Sequence, residues 1–200
     1  MDALQLRDAL AAHFDQVITP EVATAILRAA CLQSDRSHDP AKFGQYEYRG
    51  VLFQSERLRD IVDEVATLHE VHFAETEKHR HHLGLAVDID YLIAQERAGN
   101  LIQFTARDDG GRLVGQIRMA VHESIHTQTL YADEELLYLN EVARKGFTAI
   151  RFIQYVEGCM KLIGVREVRT LSKLATGSHR LMEYLGYTHL ANQYIKSLQE

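Results

Sequence analysis

Two kinds of hydrophobic spacing divide this chain. Up to about residue 45 the apolar positions recur only at helical intervals. From Tyr46 onward, short apolar runs alternate with helical stripes. Leu4, Leu6, Leu10 and Phe14 predict a short amphipathic helix. A second helix begins with Thr19 as N-cap and Pro20 at its first position, and carries a stripe of Val22, Ala25, Ile26, Ala29 and Ala30. The polar segment from Ser34 to Gly44, with Pro40 inside it, reads as a linker or long loop. Residues 1–45 therefore form a helical extension, and residues 46–200 an α/β domain. The apolar stripe of the extension requires burial on the domain or on a partner chain, a homodimer included.

Within the domain, Tyr48–Gln54 reads as a strand. Leu58, Ile61, Val62, Val65, Leu68 and His72 mark a long helix to about Glu77, and Asp90 caps a short helix over Tyr91–Ala98. Leu101–Arg107 and Arg112–His122 are strands joined by the turn Asp108-Asp109-Gly110-Gly111. Another strand covers Glu134–Leu139, and a helix runs from about Phe147 to Leu162 before Gly164. Arg166–Leu171 is a strand, His179–Leu185 a short helix and Tyr187–Ile195 a last strand.

Composition narrows the function classes. Of 200 residues, 46% are hydrophobic and 25% charged, the balance of a globular protein, and a net charge of −6 disfavours nucleic acid as a partner. No apolar run reaches the roughly 20 residues of a membrane-spanning helix. The first residues lack the pattern of a signal peptide, so a cytoplasmic location is expected. Cys31 and Cys159 stand in no metal-binding spacing and read as buried apolar residues. His69, His72, His79, His81 and His82 raise a metal reading, but no cysteine is near, and a polar loop on the substrate side is preferred.

The chemistry concentrates where a strand meets a helix, at Arg144-Lys145-Gly146-Phe147-Thr148-Ala149. A helix start leaves N–H groups unpaired and carries the positive end of the dipole, which together favour an anion such as a pyrophosphate. Arg144 and Lys145 add charge there, and Gly146 permits close approach. An ordinary strand-to-helix turn has the same local sequence, so the order of elements decides between the two.

That order resembles the GNAT superfamily of N-acetyltransferases from about Tyr46 to the end. The hairpin LIQFTARDDGGRLVGQIRM is similar to the family's second and third strands. The run EELLYLNEVARKGFTAIRFIQYVEGCMKLIGVREV resembles its fourth strand, pyrophosphate loop, main helix and fifth strand. SHRLMEYLGYTHL resembles the closing helix and strand, with the family's apolar–Gly–aromatic step at Leu185-Gly186-Tyr187. The loop R-[RK]-G-x-x-[GA] is similar to a subgroup often found in phage genomes. Against the commoner [RQ]-x-x-G-x-[GA] loop, a register starting at Arg144 ends on Ala149 but puts Phe147 at the middle glycine.

The resemblance implies a mixed, mostly antiparallel sheet flanked by helices and splayed at an acetyl-CoA site. It implies acetyl-CoA as co-substrate, held by Leu137, Leu139, Arg144, Lys145, Gly146, Phe147, Thr148 and Ala149, with backbone N–H groups near Leu139 serving the oxyanion. It places a general base on Glu134 or Glu135, which on their own residues also read as solvated edge positions. Alternation favours Glu135, on one face with Leu137 and Leu139. His122 and His126 are further proton acceptors near the acceptor entrance. Many members carry a general-acid tyrosine where this chain has Met182, and Tyr184 lies about 200° around the helix from it. The function expected is transfer of acetyl to a primary amine of a small molecule or protein, by direct attack in a ternary complex and with no metal. The alternatives are a binding protein that has lost turnover and a relative that modifies nucleobases.

Overall fold

A computed structural model of the chain describes residues 7, 9–32, 35–76, 84–172, 178–193 and 196. It divides into two units, residues 1–169 and 170–200. The first unit holds one sheet whose strands lie side by side in chain order. They are β1 (Tyr46–Tyr48), β2 (Val51–Ser55), β3 (Leu101–Arg107), β4 (Leu113–Glu123), β5 (Leu130–Leu139) and β6 (Glu167–Arg169). All neighbours are antiparallel except β5 and β6. The helices are α1 (Pro20–Leu32), α2 (Val62–Thr76), α3 (Ile89–Arg97), α4 (Thr148–Leu162) and, in the second unit, α5 (His179–Tyr184). The mixed, mostly antiparallel sheet flanked by helices is the architecture expected. Among the described residues no helix is long and apolar enough to cross a membrane.

Several boundaries differ from the sequence reading for identifiable reasons. The strand expected over 48–54 is a hairpin, because Arg49 (φ 51°) and Gly50 (φ 72°) form a two-residue turn with both residues in the left-handed region. The helix expected from Leu58 starts with a separate turn at Leu58–Asp60. The cap of α3 is Asp88, which accepts from Tyr91 N–H at 2.9 Å, rather than Asp90. β5 begins at Leu130, four positions before Glu134. β6 keeps only three residues. Residues 187–193, expected to be part of a last strand, are not in one.

The sheet buries both faces. Residues opposite one another across antiparallel strands share a face. One face therefore carries Leu101, Gln103 and Thr105 of β3, Gln116 and Arg118 of β4, and Leu136 and Tyr138 of β5. Val65 and Leu68 of α2 and Leu92 of α3 pack on its apolar members. The other face presents Phe53 and Phe104, and Phe152 of α4 stacks on Phe53 with ring centroids 4.8 Å apart. α4 ends with the paired bonds Gly164 N–H to Lys161 O (3.1 Å) and Val165 N–H to Met160 O (3.1 Å), a Schellman stop.

Within the polar segment, residues 36–43 are tied to α3 and the sheet rather than free. Arg36 N–H donates to Arg97 O at 2.7 Å, and Phe43 is buried edge-on to Phe104 at 5.6 Å. In the extension, Ala9 and Ile26 bury each other with Val22 alongside.

Glu96 of α3 is a buried carboxylate whose Oε1 accepts from Leu58 N–H and so caps the turn leading into α2. Burial raises its pKa above the usual 4.5. The folded protein thus binds this proton more tightly than the unfolded chain. The contribution of Glu96 to stability is complete below about pH 4.5 and declines as pH rises through the folded value. Glu96→Gln removes that decline. Melting temperatures of the two proteins are expected to diverge as pH is raised from 4 to 7, and a pH-independent difference would contradict the assignment.

Candidate functional site

β5 and β6 pair only at Tyr131–Glu167, Ala132–Val168 and Asp133–Arg169. Beyond Asp133, β5 runs on to Leu139 with β4 on one side and no strand on the other among the described residues. The sheet is therefore splayed along residues 134–139. Asn140 N–H donates to Val114 O on β4 at 2.7 Å, so strand alternation turns the backbone groups of Leu137 and Leu139 toward the opening. The Leu139 carbonyl accepts from Arg144 Nε on that side. Gly115 lies opposite Leu139, and a Cβ there would sit 2.5 Å from Leu139 Cδ1 and 3.1 Å from Tyr138 O.

The chain then turns into α4. Asn140 Oδ1 accepts from Val142 N–H at 2.9 Å and fixes the turn Glu141–Ala143. Lys145 N–H is spent on Ala143 O (2.8 Å) and Thr148 N–H on Lys145 O (3.2 Å). Among the described residues no acceptor meets the N–H groups of Gly146, Phe147, Ala149 and Ile150. Of the donors expected over Lys145–Ala149, three remain available and Ile150 joins them. Gly146 sits at φ 58°, where a side chain would be strained, and Phe147 is exposed. Unpaired donors at the positive end of a 15-residue helix favour negative charge nearby.

Arg144 has partners of its own beside this helix start. The Arg144 guanidinium lies 2.6 Å from Glu75 of α2 and over the Tyr138 ring, while Tyr138 OH donates to Glu75 at 2.7 Å. Arg144 therefore clasps α2 to the end of β5. It holds the Glu75 carboxyl below the usual range, and burial with the Glu75 bond pushes the Tyr138 phenol up to about 12. Arg49, at the tip of the β1–β2 turn, brings Nη1 within 2.8 Å of where a Gly146 Cβ would be. No motif in the sequence signalled Arg49, because its approach depends on a hairpin that read as one strand.

The predicted base positions are rearranged by a β-bulge. Met119 pairs with Glu134 and Arg118 with Leu136, which leaves Glu135 as the extra residue. Glu134 lies on the face of Met119, away from α2. Glu135 ion-pairs with Arg118 at 3.0 Å and shares that residue's face. It is thus on the face opposite Leu137 and Leu139, contrary to the alternation expected, because the bulge shifts the parity by one. Arg118 is only 1% exposed and also donates to Gln103 Oε1 at 3.1 Å, while its Nη2 is buried with no partner among the described residues. Burial lowers the Arg118 pKa and Glu135 opposes the shift.

His122 lies 3.7 Å from Asp133, and the His126 backbone N–H donates to Ser124 Oγ. His79, His81 and His82 fall outside the described residues. In the second unit Met182 is buried and Tyr184 69% exposed, as their different directions on α5 require.

No protein family model matches the chain, and no curated protein is similar to it in sequence. Solved structures share its architecture. An aminoglycoside acetyltransferase from an uncultured soil metagenomic sample, in complex with sisomicin, matches 75% of this chain and 97% of its own at 13% identity, TM-score 0.61. A ribosomal-protein-alanine N-acetyltransferase from Brucella melitensis biovar Abortus 2308 matches 75% and 99% at 18% identity, TM-score 0.60. A Trypanosoma brucei acetyltransferase matches 74% and 99% at 15% identity, TM-score 0.56. The chain has the GNAT fold.

Proposed function

We propose that this chain is an acyl-CoA-dependent N-acyltransferase that moves acetyl from acetyl-CoA to a primary amine by direct attack in a ternary complex. The observation that carries the reading is the parting of β5 from β6 after Asp133, with an anion cradle of unpaired N–H groups at the end of the opening. The pyrophosphate of acetyl-CoA fits that cradle. Gly146 lets the backbone approach it, and Lys145 and Arg49 supply the charge. The N–H groups of Leu137 and Leu139 line the opening, where the thioester carbonyl needs a donor as its oxygen becomes negative. The R-K-G-x-x-A loop also supports kinship with the phage-borne subgroup.

A cationic acceptor suits the α2 face of the sheet, where Glu75 and Glu135 stand. Polyamine-like, aminoglycoside-like and peptide amines share that chemistry. The second reading, a binding protein without turnover, is favoured by two observations: Met182 cannot protonate a thiolate, and Arg144 is committed to Glu75. A nucleobase-modifying relative is disfavoured by the net charge of −6.

Calorimetric titration with acetyl-CoA tests the site. Wild-type protein is expected to bind, Arg49→Ala to bind about tenfold more weakly through loss of a charge-assisted bond, and Gly146→Asp not to bind. Absence of binding at millimolar acetyl-CoA would sink the acyltransfer reading. Binding without release of CoA thiol for any amine would favour the second reading.

A further inference from the structure

Helix α2 lays His69, His72 and Glu75, spaced by three, along the face of the sheet that carries Arg118, Glu135 and Tyr138. The His69 and His72 rings stack at 5.9 Å, His72 meets the Tyr138 ring at 4.9 Å, and Tyr138 OH bonds Glu75. A seam of titratable groups thus runs from the bulge to the loop before α4. Its two carboxylates have partners already. Glu135 answers the buried Arg118 guanidinium, and Glu75 answers Arg144. His69 differs: among the described residues nothing hydrogen-bonds its ring nitrogens, and it is half-buried beside the bulge.

We propose that His69 takes the proton from the ammonium group of the acceptor, while Glu135 holds that ammonium in place rather than deprotonating it. The assignment rests on the N-acyltransferase reading above. Protonating Glu135 would strip Arg118 of its counter-charge while its guanidinium stays buried, a costly arrangement. Protonating His69 breaks no bond in the fold. The groups that face His69 are Arg118 from β4, Glu135 from β5 and His72 on its own helix. Burial first, and then the Arg118 charge, hold the His69 pKa below 6.5, with Glu135 opposing. The imidazole is therefore neutral at pH 7 and has a lone pair to offer.

The step balances as follows. The ammonium gives one proton to the His69 imidazole, leaving a neutral amine. The amine nitrogen bonds to the thioester carbon, and the carbonyl oxygen becomes an oxyanion. The carbon–sulfur bond then breaks with its electron pair on sulfur. The second amine proton passes to that thiolate, giving the amide and CoA thiol, and the imidazolium returns its proton to water.

Two measurements on the full-length protein test this. In the first, histidine resonances are followed by NMR against pH, with and without saturating acetyl-CoA. The His69 signal, identified by its loss in His69→Gln, is expected to titrate below pH 6.5, to move to lower pH in Glu135→Gln and to shift on acetyl-CoA binding. In the second, CoA thiol release is followed with spermine as the acceptor probe. Wild-type kcat/KM is expected to rise with pH along a limb that Glu135→Gln displaces and His69→Gln abolishes. His69→Gln is expected to lower kcat about 100-fold at pH 7 with the acetyl-CoA Kd unchanged, whereas Glu135→Gln mainly raises KM. A His69 resonance indifferent to acetyl-CoA, or a pH limb that survives His69→Gln, overturns the assignment. Failure of the wild-type protein to bind acetyl-CoA overturns instead the reading on which it rests.

Discussion

Glu135→Ala is expected to lower the unfolding free energy by about 3 kcal/mol, a large loss for a half-exposed residue. The cost arises at its partner. Arg118 is 1% exposed, with Nη1 on Glu135, Nε on Gln103 and Nη2 without a partner among the described residues. Without Glu135 its charge stays buried and uncompensated. Breaking a buried pair by removing one member costs about 3–5 kcal/mol, and water reaching the exposed side of Glu135 places this pair at the lower end. Removing both charges in Arg118→Met, Glu135→Ala is expected to recover most of the loss, because no buried charge is left to compensate. Chemical denaturation of the two single variants and the double variant measures the effect. A double variant no more stable than Glu135→Ala would mean that the buried charge is not its source.

Phe152→Ala is expected to cost about 3–5 kcal/mol, the range for emptying a buried aromatic site. The Phe152 ring is 2% exposed and stacks on Phe53, which is wholly buried. That stack fastens α4 to β2, and the unpaired N–H groups of the cradle belong to the first turn of α4. Stability and acetyl-CoA affinity are therefore expected to fall together in this variant, with Phe152→Leu losing less of both. A loss under about 1 kcal/mol in a protein that keeps its affinity would show that other contacts hold α4.

Much of the fold was legible because the apolar spacing is regular. β3 runs over Leu101–Arg107 as expected, and α4 begins one residue after the expected Phe147. What escaped depends on backbone detail that periodicity does not carry. The Arg49-Gly50 turn lacks the Asn-Gly or Asp-Gly pair that announces such hairpins, so β1 and β2 merged into one strand and Arg49 went unnoticed. The bulge at Glu135 follows from the register against β4, and it reversed the face assigned to the favoured base. Arg144 was read as a loop cation from its place in a motif. Its ion pair joins residues 69 positions apart along the chain, and no local pattern announces such a pair. The strand-to-helix junction was thus visible in the sequence, and the direction of the side chains around it was not.

Strand order that follows chain order has a kinetic meaning. β3, β4 and β5 occupy residues 101–139 and are joined by two tight connections, so this meander closes only short loops as it forms. Pairing β6 with β5 requires a parallel crossover through the whole of α4. A chain built this way can assemble the strand that lines its opening before the crossover arrives. The parallel contact then forms over only three residue pairs, too few to close the gap above them. The edge of β5 beyond Asp133 therefore stays without a strand partner among the described residues.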